Sequence, residues 1–136
     1  MARLCPPILG QEVAEAAVDS PPEYMAGVYK EYLRRRDYII NALNEIPGVY
    51  TPMPKGAFYS MVKLPVDDSD KFCQWMLEEF EYKGATVMLA PASGFYFSDN
   101  MGINEVRIAY VLKIEDLKHS VACIREALKI YPGRTI

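Results

Sequence analysis

The sequence contains only three short segments with the composition of β-strands, and this limits the folds open to the chain. They lie at residues 58–64, 86–90 and 105–112 and are rich in β-branched, aromatic or other apolar residues. Segments with helical periodicity precede, separate and follow them, so the predicted order is α-α-β-α-β-β-α. A small sheet buries its apolar face only if helices pack against it. We therefore predict an α+β fold, a two-layer sandwich of a small three-stranded sheet with helices.

Four helices are predicted from apolar residues at helical spacing and from capping residues, at residues 11–18, 22–46, 70–82 and 115–130. Ser20 and Ser69 are predicted to cap the second and third helices, because a serine hydroxyl can accept from free N–H groups of a first turn. The order of the strands in the sheet stays open, although a long loop would let the second and third strands pair antiparallel. The residues predicted to face the core share one helix face in each case: Met25, Val28, Tyr32, Ile39, Leu43 and Ile46; Phe72, Met76 and Phe80; Leu117, Val121, Ile124 and Leu128.

The composition argues against several classes of function. The chain has 136 residues, the length of one domain, and a formal net charge of −3. That charge argues against a broad phosphate-binding surface, so no nucleic-acid partner is predicted. No apolar run approaches the ~20 residues that cross a bilayer, so no membrane partner is predicted either. The three cysteines are far apart and lack CxxC spacing, which favours reduced thiols and a cytoplasmic location.

Arg107 is the first candidate binding residue. In the third predicted strand, Val106, Ile108 and Tyr110 share one face, whereas Arg107 and Ala109 share the other. A guanidinium in an apolar strand needs a partner, and its planar fork matches a carboxylate with two parallel hydrogen bonds. The residues alone leave two interpretations open. Arg107 binds a ligand carboxylate, or, as is more common for strand arginines, it lies on a solvated sheet face or in a structural ion pair.

The loop at residues 90–97 is the second candidate. Ser93 and Gly94 allow the backbone to approach a ligand closely, and Phe95 with its aromatic neighbours can form a pocket wall. The more common alternative is a surface loop whose aromatic side chains pack on the core.

The turn at residues 54–59 is the third candidate. Gly56 and the small Ala57 precede Phe58 at the start of the first predicted strand, which leaves space for a ligand or another backbone. A plain loop exit explains the same residues equally well.

Other chemistry is not indicated. His119 is the single histidine and is predicted to lie on the polar face of the last helix. Residues 34–36 are consecutive arginines, which usually form a solvated helix face, although they could contact an acidic partner. The sequence has no Walker motif, no GxGxxG and no cluster of metal ligands, so no metal site is predicted. No Ser-His-Asp or Cys-His arrangement is indicated, and no catalytic residue is predicted in this chain.

Three motifs together resemble the small domain of class I and II aminotransferases of the aspartate-aminotransferase type. They are Pro-Lys-Gly-Ala-Phe-Tyr at 54–59, Val-Met-Leu-Ala-Pro-Ala-Ser-Gly-Phe at 87–95 and Asn-Glu-Val-Arg-Ile-Ala-Tyr at 104–110. Their order and spacing also fit that family, as does Ile-Glu-Asp-Leu at 114–117 before an amphipathic helix. The resemblance covers nearly the whole chain and implies an α+β fold of the aminotransferase small-domain type.

The resemblance also implies roles for the candidate residues. Arg107 would bind the α-carboxylate of the amino-acid substrate. Residues 1–19 would be an interface and linker segment from the large domain, with 4–11 at a dimer interface, and 20–136 would be the C-terminal small domain. Six residues would line the substrate entrance when the small domain closes: Gly56, Ala57, Phe58, Ser93, Gly94 and Phe95.

The cofactor lysine of the family is expected to lie outside this chain. In the family it stands in a Ser-x-x-Lys context followed by Gly-x-Arg, and no lysine here has that combined context. The chain would therefore be a fragment without a cofactor-binding residue of its own, inactive when isolated, whereas the missing large domain would hold pyridoxal 5'-phosphate.

The implied parent enzyme is a homodimer that moves an amino group between an amino acid, with aspartate as the candidate, and a 2-oxo acid. Two alternatives stay open. The chain could be a stand-alone amino-acid-binding regulatory module in which Arg107 still binds a carboxylate. It could also be a protein-interaction domain that uses the aromatic loop and the arginine cluster.

Overall fold

The computed structural model describes residues 6–98 and 100–136, and the predicted order of helices and strands is confirmed there. The chain divides into two compact units, of which the first ends at Glu31 and the second spans Tyr32–Ile136. A 3-10 turn, Ser93–Phe95, lies between the second and third strands. In chain order the elements are α1 (Ile8–Val18), α2 (Pro22–Asn44), β1 (Tyr59–Lys63), α3 (Ser69–Glu78), β2 (Ala90–Pro91), β3 (Glu105–Ala109) and α4 (Ile114–Ile130).

The first unit contains α1 and buries no side chain of that helix. α1 begins at Ile8 instead of residue 11, because Pro7 at its N-cap position has a fixed φ that suits the entry to a helix. Met25, predicted to be buried, is 60% exposed. The prediction that Met25 belongs to the buried face of the second helix is therefore wrong. Leu4 and Cys5, which belong to the predicted interface segment, lie outside the described residues.

Within the second unit, α2 contributes a buried stripe to the core. Ile39 and Leu43 are 1% and 0% exposed, and Ile46 is buried in the turn that follows the helix. α2 ends at Asn44 instead of residue 46, where the Asn44 side chain bonds to the backbone of Thr51. Its Oδ1 accepts from the Thr51 N–H at 2.9 Å and its Nδ2 donates to the Thr51 carbonyl at 3.0 Å. This pair of bonds fixes the path of the chain between α2 and β1.

The sheet has the order β1-β3-β2, and both pairs of strands are antiparallel. β3 is therefore the central strand. Met61 of β1 and Ala90 of β2 both pair with Arg107 of β3. The antiparallel pairing of the second and third strands, which the sequence left open, is present.

β2 is much shorter than predicted, because its residues find other partners. Pro91 has no N–H to continue a ladder, which confines it to an edge strand. The Thr86 hydroxyl donates to the Met76 carbonyl of α3 at 2.6 Å, so the start of the predicted strand is attached to a helix instead of the sheet. Leu89 is 8% exposed and belongs to the core.

β3 ends at Ala109 instead of residue 112. Beyond it, the Tyr110 N–H donates to the Phe58 carbonyl at 2.8 Å, and the Val111 carbonyl accepts from Arg35 of α2 at 2.6 Å. These single contacts replace a regular ladder at the end of the strand.

One face of the sheet is buried and the other is exposed. Val62 and Val106 are each 0% exposed, whereas Arg107 and Ala109 lie on the exposed face. The α+β fold with a small three-stranded sheet is confirmed. The apolar residues that form the core come from both strands and helices: Ile39, Ile40, Leu43, Val62, Leu64, Val66, Phe72, Met76, Phe80, Val106, Ile108, Tyr110, Leu117, Val121, Ile124 and Leu128.

α3 is capped by Asp68 and not, as predicted, by Ser69. The Asp68 carboxylate accepts from the N–H groups of Asp70 at 2.9 Å and Lys71 at 3.1 Å, which places negative charge at the helix N-terminus. Ser69 is the first helical residue, fully buried, and its Oγ has no hydrogen-bond partner in the described residues. A carboxylate one residue earlier is the better acceptor for two donors.

α3 also ends at Glu78 instead of residue 82. Lys83 and Gly84 have φ of +53° and +76°, the backbone of a tight two-residue turn. Tyr82 and Ala85 exchange two backbone hydrogen bonds across it, of 2.9 and 3.2 Å. Residues 79–82 therefore lead into this turn instead of extending the helix to the predicted end.

Tyr131 gives the fold an alkaline limit. Its ring lies 5.0 Å from that of Phe72 and 5.3 Å from that of Trp75, and its hydroxyl donates to Asp67 at 3.0 Å. Burial, followed by this bond, raises the pKa of Tyr131 from 10.0 to about 12. In that interval the folded chain keeps a proton that the unfolded chain loses, so its stability is full below the lower value and falls as pH rises towards the higher one.

We expect urea unfolding, repeated from about pH 9 to about pH 12, to show this decrease in the free energy of unfolding. Tyr131→Phe should make the decrease shallower without abolishing it, because burial also raises the pKa of Tyr38 and Tyr110. An identical pH dependence in wild type and variant would show that Tyr131 is not responsible.

Candidate functional site

Arg107 lies on the exposed face of β3 in contact with two aromatic rings. Its guanidinium carbon is 4.7 Å from the centroid of the Phe95 ring and 5.3 Å from that of the Tyr59 ring. Phe95 belongs to the 3-10 turn that follows β2, and Tyr59 is the first residue of β1. The rings thus come from the two segments that flank the central strand, and the aromatic loop lies beside the arginine.

The Arg107 guanidinium has no hydrogen bond or ion pair with any described residue, and its cation–π contacts are with the two rings. A cation–π contact at an exposed site contributes about 0.5–1 kcal/mol. It uses the ring face and leaves the N–H donors of the guanidinium available. Within the described residues, Arg107 is therefore not half of a structural ion pair, and its fork is free for a planar anion such as a carboxylate.

The turn at residues 54–58 is held against the end of β3 by Tyr110. The Tyr110 hydroxyl donates to the Ala57 carbonyl at 2.9 Å, and Tyr110 itself is 1% exposed. Burial raises the pKa of Tyr110, so the hydroxyl stays a donor well above neutral pH. Ala57 has a φ of +61°, which costs a residue with a Cβ roughly 1–2 kcal/mol. A strained residue held by a buried hydroxyl indicates a shape that the fold maintains.

This turn connects to Arg107 through Tyr59. Phe58 is 52% exposed, and its ring meets the Tyr59 ring edge to face at 5.7 Å. Apart from Gly56 and its two chain neighbours, no described residue has an atom within 4 Å of the position that a Cβ would take on Gly56. The surface beside Gly56 is therefore open to a ligand or to another protein segment.

The loop after β2 is fastened to β3 at its start. The Ala92 N–H donates to the Glu105 carbonyl at 2.9 Å, and the Phe95 N–H donates to the Ala92 carbonyl at 2.9 Å. Ala92 is 0% exposed, so this end of the loop is part of the packed structure. Phe95, at 53% exposure, is carried by a rigid turn and not by a free loop.

The predicted residues Ser93 and Gly94 differ in their surroundings. The Ser93 hydroxyl donates to Asp70 of α3 at 2.9 Å, so it is used within the chain. Gly94 has open space where a Cβ would stand. The Ser93 hydroxyl is therefore already bonded within the chain, whereas the surface at Gly94 is open to a ligand.

A pair that sequence reasoning missed lies next to Arg107. The Tyr96 hydroxyl donates to the Glu105 carboxylate, and this hydrogen bond raises the pKa of Tyr96. Gly102 has a φ of +72°, and a Cβ there would lie 2.5 Å from the Tyr96 ring. The sequence offers one signal for this pair: Glu105 stands two positions before Arg107, and residues at that spacing share a strand face.

The arginine cluster contacts the edge of this site, whereas His119 is not part of it. Arg36 forms an ion pair with Asp37 at 2.7 Å and donates to the Pro54 carbonyl of the turn at 3.4 Å, and Arg35 donates to the Val111 carbonyl. His119 is exposed on α4. Among residues 6–98 and 100–136, no three His, Cys, Asp or Glu side chains are grouped to hold a metal ion. Within the same residues, no helix has the length and apolar character that a membrane span requires.

The sequence matches the family model of aminotransferase class I and II over residues 1–124. The chain belongs to this family. Similar curated relatives are the aspartate aminotransferases of Pyrococcus horikoshii, 34% identical over 102 residues, and of Rhizobium meliloti, 30% identical over 138 residues. The matches cover 74% and 93% of this aminotransferase chain but only 24% and 31% of those relatives.

A solved aminotransferase structure has the same fold. The alanine aminotransferase from Pyrococcus furiosus superposes with a TM-score of 0.75 at 31% identity, over 93% of this chain and 31% of that protein. The chain thus corresponds to about a third of an aminotransferase. The resemblance found in the three sequence motifs is confirmed.

The described residues of this aminotransferase chain do not fit a covalent site for pyridoxal phosphate. A lysine that forms a Schiff base is activated by a desolvated site that lowers its pKa, and every lysine here is exposed. Ser60 and Lys63 have the Ser-x-x-Lys spacing, but no Gly-x-Arg follows, and the two residues lie on opposite faces of β1. No lysine of the described residues therefore has the surroundings that such a site requires.

Proposed function

We propose that Arg107 of this aminotransferase chain binds the α-carboxylate of the amino-acid substrate. One observation carries the proposal: the guanidinium is placed by two aromatic rings and a central strand, yet its hydrogen-bond donors have no partner among the described residues. A guanidinium fixed in this way can bind a carboxylate in a single orientation, with its N–H groups as the donors. Such orientation is a large part of what a positioned binding group contributes to a rate.

The openings beside Arg107 would then admit the rest of the substrate. Gly56 and Gly94 both have free space where a side chain would stand. Phe58 and Phe95 are half exposed and would form apolar walls at the entrance. Ala57 and Ser93 would support this entrance from behind, through their bonds to Tyr110 and Asp70.

For the whole protein we propose transfer of an amino group between an amino acid and a 2-oxo acid, with pyridoxal 5'-phosphate held by a large domain. That cofactor supplies the electron sink in enzymes of this kind, while the protein supplies binding and orientation. Aspartate is the proposed substrate, since both curated relatives described above carry that name. We further propose a cytoplasmic homodimer; the free, buried thiols of Cys73 and Cys123 are consistent with a reducing compartment.

In this proposal, residues 20–136 form the small domain and 1–19 come from the interface with the large domain. The isolated chain would have no turnover, because its lysines are exposed and none is placed to activate a substrate. Family membership over residues 1–124 favours this function over a regulatory module or an interaction domain.

Modification of arginine by phenylglyoxal tests the proposal on the 136-residue chain. We expect acetate to slow the modification of Arg107 several-fold, relative to chloride at equal ionic strength, because a bound carboxylate stabilises the charged, unreactive guanidinium. Mass spectrometry would follow Arg107 together with Arg125 and Arg134 as internal references. Equal slowing of all three would show only a general salt effect and would contradict a carboxylate site at Arg107.

A further inference from the structure

We propose that Tyr96 is a positioning residue that keeps the Glu105 carboxylate away from Arg107, an inference that rests on the proposed role of Arg107. Glu105 and Arg107 are separated by one residue in β3, so both side chains leave the same face of the sheet. At that spacing the Cα atoms are about 7 Å apart, within reach of two long side chains of opposite charge. An exposed arginine and a glutamate in this arrangement are close enough to form an ion pair.

The carboxylate of Glu105 is instead bound by the Tyr96 hydroxyl. Arg107 makes neither a hydrogen bond nor an ion pair with Glu105 in the described structure. The tyrosine thus satisfies the acid in a direction that leaves the guanidinium fork open. A substrate carboxylate would otherwise compete with an acid that the chain itself carries.

Tyr96 is held in this position from its other side. Gly102 leaves room for its ring, since a Cβ at Gly102 would collide with it. The Glu105 N–H donates to the Gly102 carbonyl at 3.0 Å, so the loop closes on the same residue whose side chain Tyr96 binds. The backbone turn and the side-chain bond therefore both hold the Tyr96 ring beside Glu105.

The same bond also places Phe95 on Arg107. Phe95 directly precedes Tyr96, and its ring centroid lies 4.7 Å from the guanidinium carbon. Anchoring Tyr96 on β3 fixes the end of the 3-10 turn that carries Phe95. One tyrosine would thus hold back a competing acid and also position an aromatic wall of the site.

Glu105 has one other neighbour of opposite charge. Lys63 pairs with it across β1 and β3, and directly opposed residues of an antiparallel pair share a face. A Glu105 released from Tyr96 could therefore turn to Lys63 and leave Arg107 free. The proposal requires that it turn to Arg107, and the experiment decides between these outcomes.

The test measures phenylglyoxal modification of Arg107 in the 136-residue chain without any added carboxylate. Tyr96→Phe should slow the modification about two- to fivefold, the range expected for one exposed ion pair. Tyr96→Phe combined with Glu105→Gln should restore the wild-type rate, because no competing charge remains. Tyr131→Phe, which also removes a hydroxyl bound to a carboxylate, should leave the Arg107 rate unchanged.

An unchanged or faster Arg107 rate in Tyr96→Phe would overturn the proposal, as would a slow rate that persists in the double variant. The first outcome means that Glu105 turns elsewhere or that the loop only loosens. The second means that loss of the tyrosine acts through structure and not through the charge of Glu105. Protection of wild-type Arg107 by acetate is scored separately, so failure of the proposed carboxylate site is distinguishable from failure of the role of Tyr96.

In the intact enzyme the same variants should change KM and leave kcat nearly unchanged. Tyr96→Phe should raise KM for the amino acid by a similar two- to fivefold factor and change kcat little, since competition at the carboxylate site weakens binding. The double variant should recover the wild-type KM. If the role of Tyr96 were merely structural, neutralising Glu105 would not restore the wild-type KM.

Discussion

For the proposed transamination, Arg107→Ala in the full-length protein is expected to lower kcat/KM for the amino-acid substrate by about 100- to 1,000-fold. Truncating one partner of a hydrogen-bonded charge pair in a closed site costs 2–5 kcal/mol, and each ~1.4 kcal/mol corresponds to tenfold. The loss should be large because the Phe95 and Tyr59 rings that contact Arg107 carry no positive charge to take its place. Steady-state kinetics on the purified enzyme with a fixed 2-oxo acid would measure it.

Two further variants separate the fork from the charge. Arg107→Lys keeps the positive charge but loses the parallel pair of donors, so an intermediate loss is expected. Arg125→Ala is the matched control, because Arg125 is an exposed arginine of α4 and not of β3. If Arg107→Ala retains activity within a few-fold of wild type, or if Arg125→Ala loses as much, Arg107 does not hold the substrate carboxylate.

Stability measurements on the same Arg107→Ala variant exclude a trivial cause. The side chain contributes two cation–π contacts at an exposed face, together worth about 1–2 kcal/mol. A small shift in the unfolding midpoint is therefore compatible with the proposal. Loss of the folded state would contradict the proposal, because the Arg107 side chain lies on the exposed face of the sheet and not in the core.

The sequence predicted the order of elements because helical and strand periodicities are local properties. Val106 lies on the buried face and Arg107 and Ala109 lie on the exposed face, as expected, since adjacent strand residues point in opposite directions. The short β2 was not predictable in the same way. Thr86 is bound to the Met76 carbonyl, and that contact depends on where α3 packs.

The site shows the same division. Arg107 could be singled out from its position in an apolar strand, and Phe95 from the adjacent motif. The pairing of Tyr96 with Glu105 could not, because it depends on how the loop between them folds around Gly102. The bond of the Ser93 hydroxyl to Asp70 could not be predicted either, because it depends on where α3 packs. Local patterns thus locate a binding strand, whereas its supporting contacts come from tertiary structure.

Phe72→Ala is expected to lower the free energy of unfolding by about 3–5 kcal/mol, the cost of removing a large buried aromatic side chain and leaving a cavity. Phe72 is 0% exposed and packs against Trp75 and Tyr131, with ring centroids 6.3 and 5.0 Å away. Domains of this size have a total stability of roughly 5–15 kcal/mol, so the loss is a large fraction of the whole. Urea denaturation followed by tryptophan fluorescence would measure it, since Trp75 is the single tryptophan of the chain.

Leu77→Ala on the same helix is the control, because Leu77 is 51% exposed and its truncation removes little buried surface. A change of less than about 1 kcal/mol is expected there. Equal effects of the two substitutions would contradict the packing of α3 described above. The contrast with Arg107→Ala is also informative: Phe72 lies in the core beneath the sheet and Arg107 on its exposed face. Loss of Phe72 should therefore abolish carboxylate protection of Arg107 only under conditions where the chain unfolds, whereas Arg107→Ala removes the proposed carboxylate site in a chain that remains folded.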